Sequence, residues 1–283
     1  MFEKFMESYK KVIFVPIIIT ILALSLVAFE GVNEGIELKG GSIAEVQLTN
    51  DISANALQTQ LSQSLGMSGI SVMNSGTDKS HVTVELSSGV NDTTFTSALG
   101  DNGKVVSYNA IGPVLSQEAM GQVYWALLFA FLFMAITVFI VFREIVPSFA
   151  VILAALCDII IALGGMALFH ISLSIASVGA LLMLIGYSVD TDILLTTRLL
   201  KRHDGTVVKR ASDAMGTGLT MSFAAIAAMV VLYLVTIILI PEASTLTSIS
   251  SVLIMGLCAD IITTWCMNLT ILRIYLERSD EKQ

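Results

Sequence analysis

Four aspartates sit in stretches that are otherwise hydrocarbon-like: Asp158 in "ALCDIIIAL", Asp190 and Asp192 in "LIGYSVDTDILL", and Asp260 in "GLCADIITT". No lysine or arginine lies within the same apolar runs to pair with them. A carboxylate in hydrocarbon is expensive, and acids kept there mark ion pathways and proton relays. Removal from water favours the neutral form of such a group, so carboxyls in this setting can load and release protons. The same stretches lack histidines at helical spacing, since His170 stands at the far end of the third run. No metal or cofactor is therefore expected. The hydroxyls of Ser172, Ser174, Ser177 and Ser188 have no general base in their layer, and no Walker spacing occurs, so neither an enzyme nor an ATPase is expected.

The elements that carry these acids follow from composition. Of 283 residues, 55% are hydrophobic and 13% charged, where a soluble domain carries about 25% charged residues. Six runs are long enough to be membrane spans. The first is 12–29, and the others run near Ala119–Phe142, Val146–Phe169, Ser172–Leu195, Thr217–Ile240 and Leu246–Leu272. No A-x-A cleavage pattern follows the first run, which reads as a retained anchor. Spans three and four are parted only by "HIS", a tight turn at a membrane face.

A rise of about 1.5 Å per residue puts Asp158 roughly 16 Å in from Pro147, Asp190 and Asp192 roughly 12 and 9 Å from Arg198, and Asp260 roughly 20 Å from Arg273. All four then lie in the middle half of a core about 30 Å thick. Small residues recur every three or four positions beside them: Ala150, Ala154, Asp158 and Ala162; Ala176, Gly179, Met183, Gly186 and Asp190; Gly256, Asp260 and Thr264. Such stripes let helices approach closely, so each carboxyl is expected at a helix interface. Asp190 and Asp192 are about 200° apart on their helix, which makes span four a central helix shielded on both sides. Asp190, on the small-residue stripe, is the better placed for a proton site. Asp192, on a more apolar stripe with Leu181, Ile185 and Ser188, is better placed to orient the helix.

Cationic residues set the orientation. Lys4, Lys10, Lys11, Arg143, Arg198, Lys201, Arg202, Lys209, Arg210, Arg273, Arg278 and Lys282 all fall in alternate loops and tails. The positive-inside rule makes that side cytoplasmic, with both termini inside. The chain then divides into a cytoplasmic tail (1–11), a first span (12–29), an extracytoplasmic domain (30–118), a five-helix bundle (119–272) and a second cytoplasmic tail (273–283) in the cell membrane. The outer segment holds Lys39, Lys79 and Lys104 against ten acids. That leaves no basic footprint for nucleic acid. Cys157, Cys258 and Cys266 fall in spans, without disulfide or C-x-x-C spacing, and read as small packing residues.

The outer segment has its own pattern. "GSIAEVQL" alternates after the glycine pair Gly40–Gly41 and reads as a strand. Leu57, Leu61 and Leu65 recur at helical spacing behind the candidate caps Asn50, Asp51 and Ser53. "GISVMN" and "HVTVEL" are short strands around "SGTDKS", "DTTFTSAL" a short helix and "GKVVSYNAIG" a last strand. Strand, helix, strand, strand, helix, strand is the split βαβ, ferredoxin-like order. His81 alone suggests no catalysis, and the domain reads as a docking module. The fold class expected is an α-helical polytopic membrane protein with one small α+β outer domain.

"CDIIIALG" (Cys157–Gly164) followed by "LIGYSVDTDILLTTRLLKR" (Leu184–Arg202), with "GIELKGGS" (Gly35–Ser42) and "IGPVLS" (Ile111–Ser116), resembles the archaeal SecF branch of the SecD/SecF protein-export family. The resemblance covers nearly the whole chain. It implies a six-helix half of a resistance–nodulation–division bundle, paired with a SecD-like six-span protein. It also implies work beside the Sec translocation channel on a translocating polypeptide, driven by the proton-motive force. Gly186, Tyr187, Ser188 and Thr191 are then packing positions of the span-four motif. The bacterial motif G-Y-S-x-N-D-T has its functional aspartate where Thr191 stands, whereas here Asp190 and Asp192 flank that position. The proton-coupling candidates remain Asp158, Asp190, Asp192 and Asp260. Half of a small-molecule or lipid exporter, and a scaffold without transport, are the alternative readings; co-purification with a second six-span protein and pH-dependent function discriminate them.

Overall fold

The structure, a computed structural model, describes residues 9–50, 52–74, 80–201, 205–240 and 243–280. Lys4, the candidate cap Asp51, the turn residues 75–79, Arg202 and Lys282 lie outside them. The chain order is α1 (Phe14–Glu30), α2 (Ile36–Lys39), β1 (Gly41–Leu48), α3 (Ala54–Leu65), β2 (Ile70–Asn74), β3 (His81–Leu86), α4 (Asp92–Leu99) and β4 (Gly103–Ile111). Then come α5 (Pro113–Phe142), α6 (Ile145–Leu168), α7 (Ile175–Leu200), α8 (Val207–Leu239) and α9 (Ser244–Ile262). A π-helical turn (Thr263–Asn268) joins α9 to α10 (Leu269–Asp280).

Among the described residues, five helices are long and apolar enough to cross a membrane: α5, α6, α7, α8 and the continuous stretch Ser244–Arg278. The first expected span is shorter, with 17 residues in α1. A helical turn, Tyr9–Val12, precedes it, and Ile13 between the two has α-helical backbone angles. Pro16 accounts for the break, because it has no N–H to donate to the carbonyl four residues earlier. Helix α8 begins ten residues before the expected Thr217. Thr206 caps it by accepting from the Lys209 N–H at 3.3 Å, and the polar segment 207–216 continues the helix beyond the apolar run. The "HIS" turn closes with His170 at φ 53° and Ile171 N–H donating to the Met166 carbonyl at 2.9 Å, a left-handed helix stop.

The four strands form one antiparallel sheet in the order β2-β3-β1-β4. Its core joins Ala44, Val46, Val82, Val84 and Leu86 from the sheet to Leu57 and Leu61 of α3 and Phe95 and Leu99 of α4. Ser53 is the cap of α3, accepting from the Ala56 N–H at 3.3 Å. Gly41 has to be glycine: its φ is 134°, and a Cβ there would lie 2.3 Å from the Leu86 carbonyl oxygen.

The sheet unit is tied to one end of the bundle. Leu173 N–H donates to the Asn33 carbonyl at 2.6 Å, and Gly35 N–H to the Leu173 carbonyl at 2.8 Å. Glu37 accepts from the Ile175 N–H at the start of α7 at 2.7 Å, where the helix dipole favours an acid. Ser244, at the start of α9, donates to Glu45 at 3.0 Å. A cavity of about 1070 Å³ separates the sheet from this end of the bundle, lined by Glu45, Met73, Glu85, His170, Tyr233 and Met255 among others.

In the bundle, α6 and α7 are the most enclosed helices, while α5 and α8 turn large apolar side chains outward. Helix α1 lies on α6 at Gly164, where a Cβ would come within 2.5 Å of the Ala23 Cβ. Apolar clusters fill the space on either side of one polar layer. Ala162, Met166, Leu181, Leu184 and Leu253 pack toward the sheet; Leu195, Leu199, Ala214, Trp265 and Leu272 pack at the opposite end.

Candidate functional site

The polar layer between those clusters holds three of the four aspartates. Asp158 of α6, Asp192 of α7 and Asp260 of α9 are 0%, 0% and 1% exposed. Their donors are hydroxyls and one amide. Ser188 of α7 and Thr263 of the π-helical turn each donate to Asp158, to Oδ2 and Oδ1, at 2.5 Å. Asn268 donates from Nδ2 to Asp192 Oδ1 at 2.7 Å. The Thr264 hydroxyl stands 2.9 Å from Asp192 Oδ1 and 3.1 Å from Asp260 Oδ1.

Local sequence explains why these groups converge. Asp260, Thr264 and Asn268 are spaced by four, one face of a helix. The Thr263 hydroxyl, whose one proton is shared with Asp158, also lies 3.2 Å from the Ala259 and Asp260 carbonyls. Back-bonding of that kind competes with the helical ladder and accompanies the single π turn, a feature that recurs at functional sites. The result is that Thr263, Thr264, Trp265 and Asn268 are all buried, so one short segment feeds both Asp158 and Asp192.

The described ion pairs, Lys39–Glu85 and Arg273–Glu277, lie elsewhere. Asp192 Oδ2, Asp260 Oδ2 and Asn268 Oδ1 are buried without a hydrogen-bond partner. Charge on a buried carboxyl without a cation is costly, so the three groups cannot all be ionised together. An arrangement of this kind can hold protons and pass them between neighbours through hydroxyls.

Asp190 is elsewhere. It lies exposed on α7 with Gly179, Met183 and Gly186, on the side away from the buried layer. A Cβ on Gly179 or Gly186 would meet nothing within 4 Å. The small-residue stripe of α7 therefore faces outward, because α6 and α9 occupy its opposite side. The span-four motif splits accordingly. Ser188 and Thr191 point in, with Ser188 on Asp158; Gly186 and Tyr187 are exposed. Among the cysteines, Cys157 is buried but Cys258 is exposed on the outer surface of α9, not packed inside.

Thr263 and Asn268 were not among the expected site residues, and Thr264 counted only as a packing position. The four-residue recurrence of polar side chains from Asp260 to Asn268 is the signal that locates two of them. Thr263, three positions after Asp260, lies near the same face by helical spacing, and no other local signal marks it.

Comparison with known proteins assigns the architecture to an export-type membrane protein. The family model for "Protein export membrane protein SecD/SecF, C-terminal" matches residues 92–278. The chain is 55% identical to the protein-export membrane protein SecF of Methanothermobacter thermautotrophicus, over 97% of this chain and 95% of that one. It is 40% identical to SecF of Methanocaldococcus jannaschii, over 95% and 96%. The crystal structure of SecDF, a translocon-associated membrane protein from Thermus thermophilus, superposes with a TM-score of 0.80 at 18% identity. That match covers 97% of this chain and 38% of that one. The chain belongs to the SecD/SecF family of protein-export membrane proteins, as a SecF subunit.

Proposed function

We propose that this SecF subunit couples proton movement to protein export through the layer formed by Asp158, Asp192 and Asp260. The supporting observation is that three buried carboxyls on three helices have hydroxyl and amide donors but, among the described residues, no cation paired with them. Asp192, enclosed by Thr264 and Asn268, is the central proton site in this reading. Asp190 serves a different purpose, on a face that awaits a partner.

That partner is a SecD-like six-span protein. The exposed stripe Gly179, Met183, Gly186 and Asp190 suits close helix packing, and an acid at mid-membrane depth needs cover from lipid. The full assembly acts beside the Sec translocation channel on a translocating polypeptide. In this reading α1 is the first of six spans, so both termini share one side, which the cationic loops make the cytoplasm. The sheet unit, 30–118, is then an extracytoplasmic domain of ferredoxin-like topology. Cysteines introduced at Thr93 and Lys209 in a background without native cysteines should label from opposite sides; labelling from one side overturns this topology.

Asp192→Asn keeps shape and hydrogen bonding but cannot cycle a proton. Export driven by an imposed proton gradient should fall, while co-purification with the partner is retained. Wild-type export by Asp192→Asn, Asp158→Asn and Asp260→Asn alike would remove the basis of the proposal.

A further inference from the structure

The Thr264 hydroxyl has one proton and two carboxylate-oxygen neighbours, Asp192 Oδ1 at 2.9 Å and Asp260 Oδ1 at 3.1 Å. One hydroxyl donates one hydrogen bond and accepts through its lone pairs. Both contacts are full two-centre hydrogen bonds only when one of the two carboxyls is itself a donor. Asp192 Oδ1 already accepts from Asn268 Nδ2 at 2.7 Å, which suits it to accept from Thr264 as well. Asp260 is then the group that carries a proton and donates it to Thr264.

We infer that Thr264 is a proton-relay residue joining Asp260 to Asp192, an inference that rests on the proton coupling proposed above and names its internal route. The transfer is balanced. The O–H bond of Asp260 breaks as Thr264 Oγ1 takes its proton. Thr264's own O–H bond breaks and that proton forms an O–H bond on Asp192 Oδ1. Thr264 ends as a hydroxyl, and the negative charge has moved from Asp192 to Asp260. No other reactant is needed.

The surroundings suit a relay. The Thr264 side chain is fully buried, so water does not replace its hydroxyl. Its backbone lies in the π-helical turn, and its neighbour Thr263 holds Asp158 at 2.5 Å. Ser188 and Thr263 both donate to Asp158, which holds that carboxyl in the same buried layer beside the relay. Asp158 is ten residues from the sheet-side end of α6 and Asp192 is seventeen from the sheet-side end of α7. At about 1.5 Å per residue that is roughly 15 Å against roughly 26 Å of depth, so Asp192 lies farther from the sheet than Asp158.

The test is proton uptake into proteoliposomes holding the full chain with its SecD-type partner, read by an entrapped pH-sensitive dye under an imposed membrane potential. Thr264→Val keeps volume and removes the hydroxyl, and uptake should fall about a hundredfold, the scale of a lost proton-transfer group. Thr264→Ser should restore it, together with the slowing in D2O expected of the wild type. Co-purification of the partner should be unchanged in both. If Thr264→Val does not assemble, Thr264→Ala, which needs less space, takes its place. Wild-type uptake by the hydroxyl-free variant, with Asp260→Asn inactive, overturns the relay and leaves the coupling intact. Wild-type uptake by Asp260→Asn and Asp192→Asn as well overturns the coupling itself.

Discussion

Thr263 and Asp158 are 105 positions apart in sequence and 2.5 Å apart in space. Removing that donor leaves a fully buried carboxyl oxygen unsatisfied, which costs about 1–3 kcal/mol. Thr263→Val should therefore lower the melting temperature in detergent, and Thr263→Ser should recover most of the loss. Equal melting of the valine variant and the wild type would show that the contact carries no stability.

The seat of α1 on α6 is a backbone contact. A Cβ on Gly164 would lie 2.5 Å from Ala23 Cβ and 2.7 Å from its Cα, so no rotamer change relieves it. Overpacking of this sort costs about 1–3 kcal/mol. Gly164→Ala should lower the melting temperature, whereas Gly121→Ala, with nothing within 4 Å, should be neutral or raise it slightly through helix propensity. Equal effects of the two substitutions would contradict the packing.

The plug below the carboxyl layer is an indole on a glycine. A Cβ on Gly218 would lie 2.5 Å from Trp265 Cζ2, and Trp265 is 2% exposed whereas Trp125 is 60% exposed. With Trp125→Phe as background, the remaining tryptophan should emit at short wavelength and resist aqueous quenchers. Adding Gly218→Ala should push the indole aside, shifting emission to the red and opening it to quenching. An unchanged spectrum would mean that the plug tolerates the extra carbon.

The outward stripe of α7 separates assembly from chain stability. Gly186 has open space where a side chain would be. Gly186→Leu should leave the melting of the isolated chain within about 0.5 kcal/mol of wild type, as expected for a surface change. It should nevertheless reduce co-purification of a SecD-type partner. Normal pairing by Gly186→Leu would move the partner surface to another helix.

Much of this molecule was legible in its sequence, for physical reasons that can be named. A bilayer demands about 20 apolar residues per helix, so "ALLFAFLFMAITVFIVF" and its counterparts announced helices. Alternation in "GSIAEVQL" and "HVTVEL" announced strands, because successive side chains on a strand face opposite ways. Both signals are local. The motif in span four also carried the family, and relatives bear that out across nearly the whole chain.

What periodicity could not supply is which neighbour fills each side of a helix. Spacing fixed the angle between Asp190 and Asp192 on α7, yet either side was open to be the interior. Small residues suggested that Asp190 faced a close neighbour. Tertiary packing gave that interior to Asp192, because α6 brings Asp158 to Ser188 and the π turn brings Thr264 and Asn268 to Asp192. Those meetings join residues 30, 72 and 76 positions apart. In lipid no hydrophobic force selects one helix face over another, and shape and hydrogen-bond matching decide. Composition and period therefore determined the spans, the strands and the presence of acids at depth, while only the assembled bundle decided which acids share one buried layer.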